Sequence, residues 1–200
     1  MNYLAHVFLS QQTPEAITGA LLGDFVKGRA PEQWGAQVHA AILLHRAIDR
    51  YTDQHELVRA SRALVSGERR RFAGILVDVF YDHFLARHWT RYSERPLKEF
   101  TAEVYRVLLP QRANLPERLQ RMLPWMAGDD WLGSYAELTS VDAALNGIAR
   151  RFRYAARAQP LASAIDELKR GYPDFESHFF QFLPQLQRFV AMQPHGGRAI

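Results

Sequence analysis

The chain contains no cysteine in 200 residues. This removes disulfides, zinc–thiolate centres and thiol nucleophiles together, and leaves histidine and carboxylate as the side chains able to build a metal site. No uninterrupted apolar run approaches the ~18 residues that a membrane span requires, so no membrane segment is expected. The start of the chain lacks a basic leader followed by an apolar run and a small-residue cleavage site, which reads as no signal peptide and a cytoplasmic protein. Also missing are G-x-x-x-x-G-K-[ST], G-x-G-x-x-G after a strand, G-x-S-x-G and H-E-x-x-H, and no serine sits in a recognisable nucleophile setting. There is no repeat, no low-complexity tract and no sustained period-two alternation of the kind strands show.

What is present is material for a helical core. The chain is 48% hydrophobic and 12% aromatic. Proline punctuates segments of helical length, so the reading is all-α: one helical domain over 1–192, with 193–200 as a disordered tail. Thr13-Pro14-Glu15 opens a helix predicted to run to Lys27 and stop at Gly28. A second is predicted over 32–53 and a third over 75–89, entered from Glu68-Arg69-Arg70-Arg71. Further helices are expected over 97–109, 115–126, 134–152, 161–169 and 175–190, while 2–10 reads as a short apolar lead-in. Trp125, Trp131, Phe179, Phe180 and Phe182 read as core.

The third helix is the unusual one. Ile75, Leu76, Val79, Phe80 and Phe84 form a broad apolar arc, yet Asp78 and Asp82 stack one turn apart beside it and His83 points into it. Burying an ionised carboxylate without a partner costs several kcal/mol or shifts its pKa. The same pattern recurs upstream. Asp24 lies in line with Ile17 and Leu21, and His45, Asp49 and Asp53 follow Val38 and Ile42 along one stripe; His6 sits in the apolar lead-in. One account is structural: Asp49 pairing with Arg46 or Arg50, and Asp78 with Arg69, Arg70 or Arg71. The other is a His/carboxylate site for Mn²⁺, Mg²⁺ or Fe²⁺, since pairs one turn apart deliver two ligands from one rigid element.

Lys+Arg 25 against Asp+Glu 21 gives a net charge of +4 and a pI near 9.6, a balance that favours an acidic partner. Arg69-Arg70-Arg71 and Arg150, Arg151, Arg153 and Arg157 read as solvated surface or as a docking face for an acidic protein. Nucleic acid is not expected, because no aromatic–basic interleaving or known motif accompanies the charge.

Met1-Asn-Tyr-Leu-Ala-His6, Gly23-Asp24-Phe-Val-Lys-Gly28, His45-Arg-Ala-Ile-Asp49 with Thr52-Asp53, Asp82-His-Phe-Leu-Ala-Arg-His-Trp89 and Leu145-Asn-Gly-Ile-Ala-Arg150 together resemble the bacterial acyl carrier protein phosphodiesterases, or ACP hydrolases. The resemblance runs in order over almost the whole chain. It implies a divergent HD-domain-like helical fold and a divalent cation, preferably Mn²⁺, with Mg²⁺ or another as alternatives. The implied reaction hydrolyses the phosphodiester that joins 4′-phosphopantetheine to a serine of holo-acyl carrier protein. The HD signature sets His and Asp side by side; here Asp82-His83 is inverted and His45 stands a full turn from Asp49, so ligands are read from this chain's own helix faces. Taken with the inward polar set, the expected metal ligands are Asp24, His45, Asp49, Asp78 and Asp82. His6, Asp24 and His83 are the candidate catalytic groups, and Lys27, Arg46 and Arg150 the candidates to hold phosphate. A related phosphohydrolase of a nucleotide or other small phosphodiester, and a non-enzymatic helical module binding an acidic protein, are the alternatives.

Overall fold

The computed structural model describes residues 1–28, 32–150, 161 and 163–194. Arg151, Arg153, Arg157 and tail positions 195–200 lie outside the described residues, as does the expected end of the helix over 134–152. Every regular element among the described residues is helical, which bears out the all-α expectation. The helices are α1 (Tyr3–Leu9), α2 (Pro14–Leu22), α3 (Gly35–Gln54), α4 (Glu56–Leu64), α5 (Ala73–Arg87), α6 (Leu97–Leu108), α7 (Glu117–Gly128), α8 (Trp131–Ser134), α9 (Leu138–Arg150), α10 (Ile165–Arg170) and α11 (Tyr172–Ala191), with short 3₁₀ turns between some of them. None of these helices is long and apolar enough to cross a membrane.

Helix α5 is the axis. From Val79 to Ala86 every residue is buried, as expected of a helix that is apolar on more than one face. It packs against α1, α4, α9 and α11. Much of that contact is aromatic: Phe80 meets Phe175, Tyr81 meets Phe179, and Phe84 meets Phe179, with ring centroids 5.2, 5.5 and 5.8 Å apart. Such pairs add about 0.5–1.5 kcal/mol each beyond the area they bury.

Four readings need revision. Residues 3–9, read as a short apolar lead-in, form a fully buried helix, in which Asp82 of α5 accepts the N–H groups of Leu4 at 2.8 Å and Ala5 at 3.1 Å. A carboxylate 78 residues away thus satisfies the free donors of a helix too short to be stable alone. Helix α4 was not foreseen. It begins at His55, whose Nδ1 accepts the N–H of Leu57. Helix α2 starts as expected, with Thr13 accepting from Ala16, but ends at Leu22 instead of Lys27. There the chain must pass the ring of His45: a Cβ on Gly23 would lie 2.2 Å from its Cγ. One turn earlier, Gly19 lets α2 and α3 approach so closely that a Cβ would lie 2.5 Å from Ala41. Finally, Trp125 is not core. Leu119, Leu123 and Met126 fill the inner face of α7, and Trp125 falls off that stripe and is 73% exposed.

Candidate active site

Three elements deliver the polar cluster. His6 comes from α1, His45 and Asp49 from successive turns of α3, and Asp24 from the turn after α2. Both imidazoles are buried, at 1% and 2% exposure, and stack with centroids 3.5 Å apart and planes 13° from parallel. Asp49 spans them, with Oδ1 3.1 Å from His6 Nε2 and Oδ2 3.2 Å from His45 Nε2. Asp24, exposed, places Oδ1 3.6 Å from the same His45 nitrogen. His45 Nδ1 donates to the carbonyl of Ala20 at 2.6 Å, which fixes the ring and turns Nε2 toward the carboxylates. Metal-binding histidines are oriented by the same device.

Behind this group stands Asp78, reached through the main-chain amine of Met1. That ammonium is 3.0 Å from Asp78 Oδ1 and 3.6 Å from Asp49 Oδ1. The charges explain the protonation states. Burial works against a proton on His45, but hydrogen bonds and charge from Asp24 and Asp49 outweigh it and raise its pKa to about 9. Burial, with the charge of neighbouring His45, pushes His6 down to about 4. For Asp49, burial is overcome by both histidines, which hold its carboxyl well below the usual range; Asp24 is held low by His45 in the same way. Burial prevails at Asp78 and raises its pKa despite the amine. The cluster therefore gathers three carboxylates around two imidazoles and one amine.

Those features match the chemistry of a cation site. His6, His45 and Asp49 offer three ligand atoms all within 4.8 Å of one another. His6 Nδ1 is buried without a hydrogen-bond partner among the described residues. Nitrogen and carboxylate donors with no thiolate suit Mn²⁺ or Mg²⁺, and Asp24 leaves one side of the group open to solvent.

Other expected site residues lie elsewhere. Asp82 is fully buried with both oxygens turned to α1, and burial pushes it up to about 7 against the two N–H bonds. His83 makes hydrogen bonds from Nδ1 to the Tyr135 carbonyl at 2.8 Å and from Nε2 to the Tyr172 hydroxyl at 2.9 Å, away from the cluster. Arg46 donates to the Val26 carbonyl at 2.8 Å and so shapes the loop that carries Asp24. Lys27 is exposed on that loop, and Arg150 is exposed at the end of α9. Asp53 pairs with Arg62 at the surface. Neither Asp49 nor Asp78 takes the arginine partner considered for it; Arg69 is bound instead to Glu167. Sequence reasoning missed the Met1 amine, the Ala20 carbonyl and the steric role of Gly23, which only the fold reveals.

An all-helical protein with an open, carboxylate-rich His/Asp cluster at the junction of three helices is the class that these observations define. Residues 1–186 match the family model described as acyl carrier protein phosphodiesterase. A protein of that name from Serratia proteamaculans is 40% identical over 190 residues, covering 94% of this chain and 96% of its own. Those from Escherichia coli and Yersinia pestis are 35% and 34% identical, covering 93% and 94% of this chain and 95% and 96% of their own. No solved structure matches. The chain belongs to the acyl carrier protein phosphodiesterase family.

Proposed function

We propose that this protein hydrolyses the phosphodiester between 4′-phosphopantetheine and serine in holo-acyl carrier protein, with Mn²⁺ (or Mg²⁺ or another divalent cation) held by His6, His45, Asp49 and Asp24, and Asp78 behind them. The observation that carries this reading is the bridging of two stacked, buried imidazoles by one carboxylate beside a second, exposed one. A divalent cation supplies a Lewis acid that polarises the phosphoryl oxygen and offsets charge in an in-line displacement. The chain's own groups do the rest. Asp24, ionised and facing solvent, is placed to orient the attacking water and take its proton. Lys27 and Arg46, on and beside the same loop, are placed to hold phosphate oxygens. Water adds to phosphorus as the bond to the serine oxygen breaks; that oxygen takes a proton from solvent and Asp24 returns its own to solvent, giving apo-carrier protein and 4′-phosphopantetheine. Asp82 acts through α1, which it anchors and which carries His6; His83 and Arg150, outside the cluster, are given no part in breaking the bond.

The net charge of +4 suits a strongly acidic protein substrate met in the cytoplasm, with an encounter that weakens as salt screens it. The test is mass spectrometry of holo-acyl carrier protein incubated with the protein and Mn²⁺, with a chelator control. Loss of the phosphopantetheine mass only when metal is present is the expected result. Cleavage that persists in chelator overturns the metal assignment, and no cleavage under either condition overturns the substrate.

A further inference from the structure

A groove of about 300 Å³ runs between α7, α8 and α9, with Trp125 and Trp131 as its walls. Ser134, Ser140 and Asp129 contribute polar groups, and Gly147 leaves one side open. Its position relative to the cluster follows from ring contacts. Trp131 meets Tyr3 edge-on with centroids 6.3 Å apart, and Tyr3 stacks on Phe25 at 6.0 Å. Phe25 adjoins Asp24 in sequence, and Tyr3 lies one turn before His6 on α1. One helical turn plus one ring contact puts the near wall on the order of 10 Å from the cluster. The near wall of the groove is therefore linked to the site by ring contacts through Tyr3 and Phe25.

Its chemistry differs from that of the cluster. Among the described residues the lining holds one acid and no basic side chain, which does not favour a phosphate. It suits a neutral chain carrying methyl groups and amides. The Ser134 hydroxyl donates to the Trp131 carbonyl at 2.8 Å, which leaves its oxygen free to accept an amide N–H. Trp131 Nε1 donates to the Tyr135 hydroxyl at 3.1 Å, and the Asn2 amide donates to that hydroxyl at 2.9 Å, so one wall is held in place. Trp125, 73% exposed, presents a large apolar face to solvent, a cost that a ligand would offset.

We propose that the Trp125–Trp131 groove binds the pantetheine arm of the carrier protein, its dimethyl carbon against the indole faces and its amides on Ser134, Ser140 and Asp129, while the phosphodiester lies at the His/Asp cluster. This rests on the phosphodiesterase reading above and assigns the part of the substrate that the cluster does not touch. Binding energy from an arm that does not react is available to position the phosphate, so its loss lowers kcat/KM.

Two variants of the full chain test it. Nothing lies within 4 Å of a Cβ at Gly147, so Gly147→Leu fills the groove and improves the helix propensity of α9. Trp125→Ala removes an exposed ring that the fold does not need. Titration of the wild-type protein with pantetheine, which has no phosphate, gives a saturable change in tryptophan fluorescence that Gly147→Leu abolishes. In both variants kcat/KM on holo-acyl carrier protein falls about tenfold, the weight of one aromatic anchor. A pantetheine signal that is absent, or that persists in Gly147→Leu, overturns the proposal, as does unchanged kcat/KM in both variants. Failure of the wild-type protein to cleave holo-acyl carrier protein is a separate result: it removes the phosphodiesterase reading, and the pantetheine titration still reads the groove.

Discussion

Two carboxylates in this molecule are gathered into dense polar clusters, and they are handled in opposite ways. Glu167 of α10 is fully buried and fully satisfied: it accepts from the N–H and hydroxyl of Ser66 and pairs with Arg69 and Arg170. Every oxygen has a partner, and two guanidinium groups face one negative charge. Asp49 is 39% exposed, and its neighbours are two stacked imidazoles, two further carboxylates and one amine. Its cluster sets three carboxylates against two imidazoles and one amine, and has one open side. Closed, fully partnered networks hold folds together; open clusters of carboxylate and imidazole are where cations and chemistry are found. Both networks contain buried polar groups, so burial alone does not separate structure from function. The number of cationic partners for each carboxylate and the open side do.

The largest effect belongs to the open cluster. Asp49→Ala removes the bridge between His6 and His45 and should lower kcat/KM on holo-acyl carrier protein at least about a thousandfold, the scale of losing a Lewis acid worth several kcal/mol. Far-ultraviolet circular dichroism should stay helical. Next is Gly23→Ala. Its Cβ would strike the His45 ring and force it from its bond to Ala20, for a loss of roughly 10–100-fold in kcat/KM, as expected when a ligand loses its orientation.

Third, Asp82→Ala should show a further way in which this fold uses a carboxylate. It frees two donors at the start of α1 and should cost about 2–3 kcal/mol in denaturant unfolding, with activity reduced because His6 rides on α1. The smallest effect is confined to the closed network. Glu167→Gln leaves the cluster intact, so kcat/KM should hold, while stability at neutral pH falls by about 2 kcal/mol. Its pH dependence has a definite sign. Burial alone would raise the pKa of Glu167, but Ser66, Arg69 and Arg170 hold it below the ordinary 4.5. Its contribution to stability is thus complete above pH 4.5 and is lost as pH falls through the depressed value. Unfolding followed from pH 7 to pH 3 should be less steep in Glu167→Gln than in the wild type.

How much of this was legible beforehand depended on sequence distance. Helical periodicity identified α3 and α5 within a few residues, because the apolar spacing is local information. The pairing of His45 with Asp49 followed from their one-turn spacing, and Thr13-Pro14 located the start of α2. Long-range partners were not legible. The cap of α1 comes from Asp82, the partner of Arg69 is 98 residues away in Glu167, and the need for a glycine at position 23 comes from a ring on another helix. The same limit applied to Asp78 and Asp82. One helix face put both inward, but only the fold turns one toward an amine beside Asp49 and the other to the backbone of α1. Trp125 was misread for a different reason: composition makes an aromatic look like core, and the stripe of Leu119, Leu123 and Met126 decides otherwise.

The contrast between the open and closed clusters is tested most directly by titrating Mn²⁺ into the wild-type protein, Asp49→Ala and Glu167→Gln, with the electron paramagnetic resonance signal of free Mn²⁺ as the readout. The account predicts saturable loss of that signal with the wild type and Glu167→Gln, and none with Asp49→Ala. Binding undiminished in Asp49→Ala would contradict it.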